Sequence, residues 1–136
     1  MPVGRFARLV PVALWLGVIF YQSSRSTLPF PPGLSDRLVS MAGHFVEYAV
    51  LAGLLWWGIS HLLASGRTRV LVVLGVALVY AISDEWHQSF VPGRTPDVWD
   101  VVVDMIGAMA GIVVTRRILG KLASRRENAR SYPRNQ

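Results

Sequence analysis

Apolar residues in this chain come in four blocks: Leu9 to Tyr21, Leu38 to Leu63, Val70 to Ala81 running on to Val91, and Val98 to Leu119. Each supplies most of the ~20 residues that a helix needs to cross a bilayer. The pattern predicts an all-α membrane protein, a bundle of four transmembrane helices over about 6–23, 37–63, 70–91 and 96–118, the first being the shortest. One domain, residues 1–119, takes in all four, and a basic, disordered cytoplasmic tail follows over 120–136. The polar positions are as informative. Residues 80–104, YAISDEWHQSFVPGRTPDVWDVVVD, hold Asp84, Glu85, Asp97, Asp100 and Asp104, with His87, Gln88 and Arg94 among them. An ionisable group near the bilayer centre costs several kcal/mol unless it is paired, protonated or hydrated. Either these segments do not span a membrane, or this stretch is the functional centre.

Local signals set the expected boundaries. Pro29, Pro31, Pro32 and Gly33 forbid a helix between the first two blocks, so the chain there runs extended. Ser35-Asp36 reads as the cap of the second helix. Pro92-Gly93 ends the third, and Thr95-Pro96 opens the fourth in the N-cap and N1 positions, with Asp97 as an acid of its first turn. Residues 1–24 also fit a signal peptide, but Pro11, Trp15 and the lack of an Ala-x-Ala site favour a retained helix.

Polar residues then fall on faces and at depths. Asp36, Ser40, His44 and Glu47 share one face of the second helix, with Tyr48 beside them. Asp84, His87, Gln88 and Val91 share a face of the third, with Glu85 and Ser89 a quarter-circle away. Asp100 and Asp104 share a face of the fourth, above the GxxxG pattern Gly107–Gly111, which permits close helix contact. His44, Asp84 and Asp104 each lie eight residues inside their helix end, about 12 Å deep; Ser40, Gln88 and Asp100 form a layer at about 6 Å. Three helices thus bring polar groups to common levels, which predicts a shared pocket.

Charge distribution orients the bundle. Of the 14 basic residues, Arg5, Arg8, Arg67, Arg69 and the seven from Arg116 to Arg134 flank one end. Arg25, Arg37 and Arg94 alone lie in the other two loops. The excess places both termini and the 64–69 loop in the cytoplasm, with the 22–37 and 91–97 loops outside. A basic tail after a membrane helix reads as a topology anchor touching anionic lipid, so no nucleic-acid partner is expected. At 136 residues, 52% of them hydrophobic, the chain is one domain, and with no cysteine it holds no disulfide and no Cys-based site.

The residues also resemble a known family. Ser35-Asp36, His44-Phe-Val-Glu47-Tyr48, Ser83-Asp84-Glu85-Trp-His-Gln88-Ser-Phe90-Val-Pro-Gly93-Arg94, and Asp97-Val-Trp-Asp100 followed by Gly107 look like the VanZ-like family, over residues 20 to 115. The resemblance implies a small multi-pass protein of the bacterial cytoplasmic membrane. For members found with glycopeptide-resistance genes it implies reduced sensitivity to teicoplanin. The family pattern more often has Asn where this chain has Asp104, which implies that a carboxylate there is not obligatory.

Seven of the eight acids lie between Asp36 and Asp104, with Arg37 and Arg94 the basic residues among the polar segments and Arg25 just before them. Ion pairing, protonation, hydration or a bound cation must stabilise them. Two functional classes follow. In one, an outward pocket binds a membrane lipid, a lipid-linked envelope intermediate or a lipoglycopeptide through Arg94, Gln88, Asp97, Asp100, Tyr48 and Asp36. In the other, the same pocket is an outer-leaflet enzyme, a hydrolase or transferase with Asp84, Glu85, His44 and Glu47 as acid–base groups and Arg94 holding an anion. A divalent metal is the cofactor considered: His44, Glu47, Asp84, His87 and Asp100 are ligand types for Zn²⁺ or Mn²⁺, though their spacing matches no known ligand motif. Neither the ligand nor the oligomeric state is fixed by the sequence.

Overall fold

The computed structural model describes residues 6–25 and 34–131. A 3₁₀ turn, Ala7–Leu9, leads into α1, Val10–Ser23; α2 is Leu34–Gly58, α3 Gly66–Gln88 and α4 Val98–Ser131. Among the described residues there is no strand. Three helices are long and apolar enough to cross a membrane, and Ala7–Ser23 is a shorter apolar helix. The expected all-α membrane bundle is what the chain forms.

Boundaries differ from the sequence reading where side-chain caps decide them. The second helix ends at Gly58 rather than 63, and the third starts at Gly66 rather than 70. Ser65 is the cause of the earlier start: its hydroxyl accepts the Thr68 N–H at 3.4 Å, closing an N-terminal turn that draws Arg67 and Arg69 into the helix. The third helix ends at Gln88, not 91, and gives way to single turns and then to Pro92-Gly93. Gly93 has φ 81°, and the Arg94 N–H reaches the Val91 carbonyl at 3.1 Å, a type II turn with Pro and Gly in their preferred positions. The fourth helix opens at Val98 rather than 96. Its cap is Asp97, whose Oδ1 accepts the Trp99 N–H at 2.9 Å, and not Thr95. That helix then runs to Ser131, past the point where a disordered tail was expected. Ala, Leu, Lys, Arg and Glu, all strong helix formers, make up 11 of the 15 residues 116–130. The prolines of residues 26–33 and the Ser35-Asp36 cap lie outside the described residues or side chains.

The central contact is between α2 and α4. A Cβ added to Gly107 would strike the Phe45 backbone, and one added to Gly111 would strike that of Ala49. A Cβ on Gly53 would sit 2.8 Å from Thr115 Oγ1. The pairs 45/107, 49/111 and 53/115 keep a constant offset, so the two helices run parallel with backbones in contact. Small residues every fourth position permit that approach, and in lipid such van der Waals contact substitutes for the hydrophobic drive. The apolar core is small: Ile19, Tyr48, Leu51, Ala52, Val73, Ala77, Ala81 and Ala108 are wholly buried. Leu14, Leu71, Val79, Ile82, Trp86 and Val98 face outward, a surface suited to lipid and not to water.

Polar bonds fasten α1 to the rest. The Trp15 indole donates to the Glu47 carbonyl at 2.8 Å, and the Tyr80 hydroxyl to the Leu16 carbonyl at 2.7 Å. In a bilayer such donors have no water to turn to, so each needs a protein acceptor. At the basic end, Arg69 donates to the carbonyls of Ser60 and Leu63. Arg69 and Arg116 both stack on Trp56, 4.7 and 5.4 Å from its ring centre.

Candidate functional site

Among the described residues, buried polar groups of α2, α3 and α4 gather in the half of the bundle that carries the 89–97 loop. His44, Asp84, Glu85, Gln88 and Asp104 are buried, Asp104 completely. Each is placed by helical spacing on a face turned inward. His44 comes from α2, Asp84, Glu85 and Gln88 from the last two turns of α3, and Asp100 and Asp104 from the first two of α4.

The deepest pair is His44 and Asp104, with Nδ1 and Oδ1 3.1 Å apart. The residue count had put these two at one depth. Asp104 nevertheless received no role from the sequence; the depth coincidence was the available signal. The other face of the imidazole turns to Asp100, with Nε2 and Oδ2 at 3.8 Å. Glu85 crosses from α3 to α4: its Oε2 accepts the Asp97 N–H at 2.8 Å, a donor left over by the helix start. One ligand atom each from His44, Glu85 and Asp100 lies within 4.8 Å of the others. Beside them the Gln88 amide donates to Asp84 Oδ2 at 3.1 Å. Glu47 lies half-buried one turn below His44. Tyr48 is fully buried, its ring 6.5 Å from that of Tyr80.

Among the described residues, several buried atoms here have no hydrogen-bond partner: Glu85 Oε1, Asp104 Oδ2, the Tyr48 hydroxyl and the Ser23 hydroxyl. An interior normally satisfies its polar atoms, so a cluster of exceptions is the mark of a site rather than of a core.

Other expected members sit elsewhere. His87 faces α1, its Nε2 3.1 Å from the Ser24 hydroxyl and its ring 4.6 Å from Phe20, so it stands outside the His44 group. Among the described residues Arg94 forms no ion pair with Asp97 or Asp100. Its guanidinium donates instead to the Arg25 and Gln22 carbonyls, at 3.1 and 3.3 Å, and clasps the end of α1. Asp97 pairs with Arg37 at 2.9 Å, a largely exposed contact worth little on its own. The side chain of Asp36, an expected ligand-binding residue, lies outside the described side chains.

The family model described as VanZ/LLP1 fits residues 3–120, which takes in α1, α2, α3, the larger part of α4 and every residue of the site. No curated protein and no solved structure matches the chain.

Proposed function

The chain belongs to the VanZ/LLP1 family, and we propose that it binds the polar headgroup of a lipid-linked cell-envelope component in the pocket lined by His44, Glu47, Asp84, Glu85, Gln88 and Asp100. The single observation that carries this reading is the buried polar cluster itself, set at one end of a bundle whose outer surface is apolar. Ionisable groups among membrane helices are costly and are retained where something polar must be met. The lining is rich in acceptors, which suits hydroxyl and amino groups of a headgroup, while Arg37 and Arg94 at the rim suit its phosphate. The excess of arginine at the opposite end orients the pocket toward the outer leaflet of the cytoplasmic membrane, with both termini inside. Sequestering or repositioning such a component lowers sensitivity to teicoplanin.

Two experiments test it. Cysteine introduced at Thr95 should react with an impermeant maleimide in intact cells, and cysteine at Ser65 should not; labelling at Ser65 alone inverts the bundle and removes the outer pocket. Wild-type protein should co-purify with an envelope lipid detectable by mass spectrometry. Asp84→Ala and Gln88→Ala should lose most of that lipid and raise teicoplanin sensitivity, whereas Val76→Leu on the exposed apolar face should do neither. Full lipid retention in both site variants sinks the reading.

Turnover of the same ligand is a second reading, favoured by the convergence of His44, Glu85 and Asp100. It requires product release in vitro that Asp100→Asn abolishes while the lipid stays bound.

A further inference from the structure

We infer that His44, Glu85 and Asp100 form a binding site for one divalent transition-metal ion of the Zn²⁺ or Mn²⁺ type. The inference stands on side-chain geometry and not on the lipid reading. The three residues come from three different helices, yet each offers a ligand atom within 4.8 Å of the other two. His44 Nε2 and Asp100 Oδ2 are 3.8 Å apart, too far for a hydrogen bond. That spacing is close to the ~3.4 Å between two ligands at a tetrahedral angle on Zn²⁺, given its bond lengths to nitrogen and oxygen.

A cluster of this kind needs more than proximity, and two further observations supply it. Glu85 is nine-tenths buried, and among the described residues its Oε1 has no hydrogen-bond partner. Its other oxygen is held by the Asp97 N–H, which fixes the carboxylate and leaves Oε1 available to the group. Then there is the imidazole. Asp104 Oδ1 lies 3.1 Å from His44 Nδ1, within reach of the proton that the ring carries there in its Nδ1–H tautomer. In that tautomer the bond orients the ring and leaves Nε2, 3.8 Å from Asp100 Oδ2, free to bind a metal. A carboxylate behind a histidine whose other nitrogen is free is the arrangement that metal-ligating histidines use. Asp104 is therefore a positioning residue and not a ligand.

Charge points the same way. Glu85 and Asp100 bring two carboxylates together, and among the described residues no guanidinium forms an ion pair with either. Arg37 is paired with Asp97, and Arg94 bonds to backbone carbonyls. With His44 neutral, as a metal ligand must be, a dication offsets this charge inside an apolar bundle, where a pair of acids left without a cation is strongly disfavoured. One nitrogen and two carboxylate oxygens suit Zn²⁺ or Mn²⁺ better than Ca²⁺ or Mg²⁺, which prefer oxygen alone. Three protein ligands leave a further position for water, as in catalytic rather than structural zinc sites.

The test is the metal content of the full chain, purified in detergent with its affinity tag removed. Elemental mass spectrometry should find about one Zn²⁺ or Mn²⁺ per chain, and stripping the metal should lower Tm. Glu85→Gln and Asp100→Asn should each bring the content to background while the protein stays monodisperse. Asp100 caps nothing, so its variant keeps the test sound if Glu85→Gln folds poorly. Asp104→Asn should weaken metal affinity by about tenfold at most, since Asn still accepts the Nδ1 proton. His61→Gln, in the turn that follows α2 at the basic end, should keep full occupancy. The inference is overturned if wild type carries no metal and neither Zn²⁺ nor Mn²⁺ moves its Tm. Metal loss in His61→Gln equal to that in Asp100→Asn also overturns it. A metal-free protein that still co-purifies with its lipid defeats this inference alone, and a loaded protein without lipid defeats only the lipid reading.

Discussion

Gly111→Leu is expected to abolish folded protein. In the parallel contact of α2 and α4, even a Cβ on Gly111 would overlap the Ala49 carbonyl oxygen, and one on Gly107 the Phe45 carbonyl oxygen. The obstacle in both cases is backbone, which cannot rotate aside as a side chain would. The helices must separate along their length, losing the close contact that stands in for a hydrophobic drive in lipid. The cost is about 3 kcal/mol or more, at the upper end of overpacking effects. Gly107→Leu should behave alike, and Gly111→Ala should already be damaging. Gly43→Ala and Gly75→Ala supply the contrast: a Cβ at either meets nothing within 4 Å, so stability should change by less than ~1 kcal/mol. Yield and monodispersity in detergent, followed by thermal unfolding, check the series. Wild-type stability in Gly111→Leu would show that the two helices do not meet through these glycines.

Breaking the His44–Asp104 pair from one side should be nearly as harmful. Asp104 is fully buried, and His44 is the partner of its Oδ1. His44→Leu strands a carboxylate among apolar helices, and Asp104→Leu strands an imidazole N–H. Loss of one member of a buried pair costs about 3–5 kcal/mol. Asp104→Asn keeps an acceptor for the Nδ1 proton, and its cost should fall to about 1 kcal/mol. The double variant H44L/D104L removes both polar groups together and should be more stable than either single leucine variant. It should also be metal-free, which separates the stability of the bundle from the loading of its site. Unfolding free energies for wild type, the two single leucine variants and H44L/D104L form a double-mutant cycle; a coupling near zero would mean that the bond contributes nothing.

Much of this protein was legible in its sequence, for reasons of period and solvent. Four apolar blocks in a bilayer leave the backbone only helices, because helical bonds satisfy every N–H and C=O within one segment. Helical spacing then placed His44, Asp84, Asp100 and Asp104 on inward faces, and counting from the helix ends put His44 and Asp104 at one depth, where they do bond. The glycines of the fourth block were readable as a contact motif, though not the surface they touch. What the sequence could not decide was which atoms converge. Glu85 looked turned away by a quarter-circle, but its side chain is long enough to reach the start of α4, and only the position of α4 makes the Asp97 N–H its partner. His87 shares a face with Asp84 and yet meets Ser24, because α1 covers that side of α3. Arg94 was drawn to backbone carbonyls at the end of α1, a partner class that no residue pattern displays. Which side chains lie inside a helix face follows from a period of 3.6, which local sequence carries. How three such faces are rotated and set in height against one another follows from backbone contact at Gly107 and Gly111, and that is decided only when the helices pack.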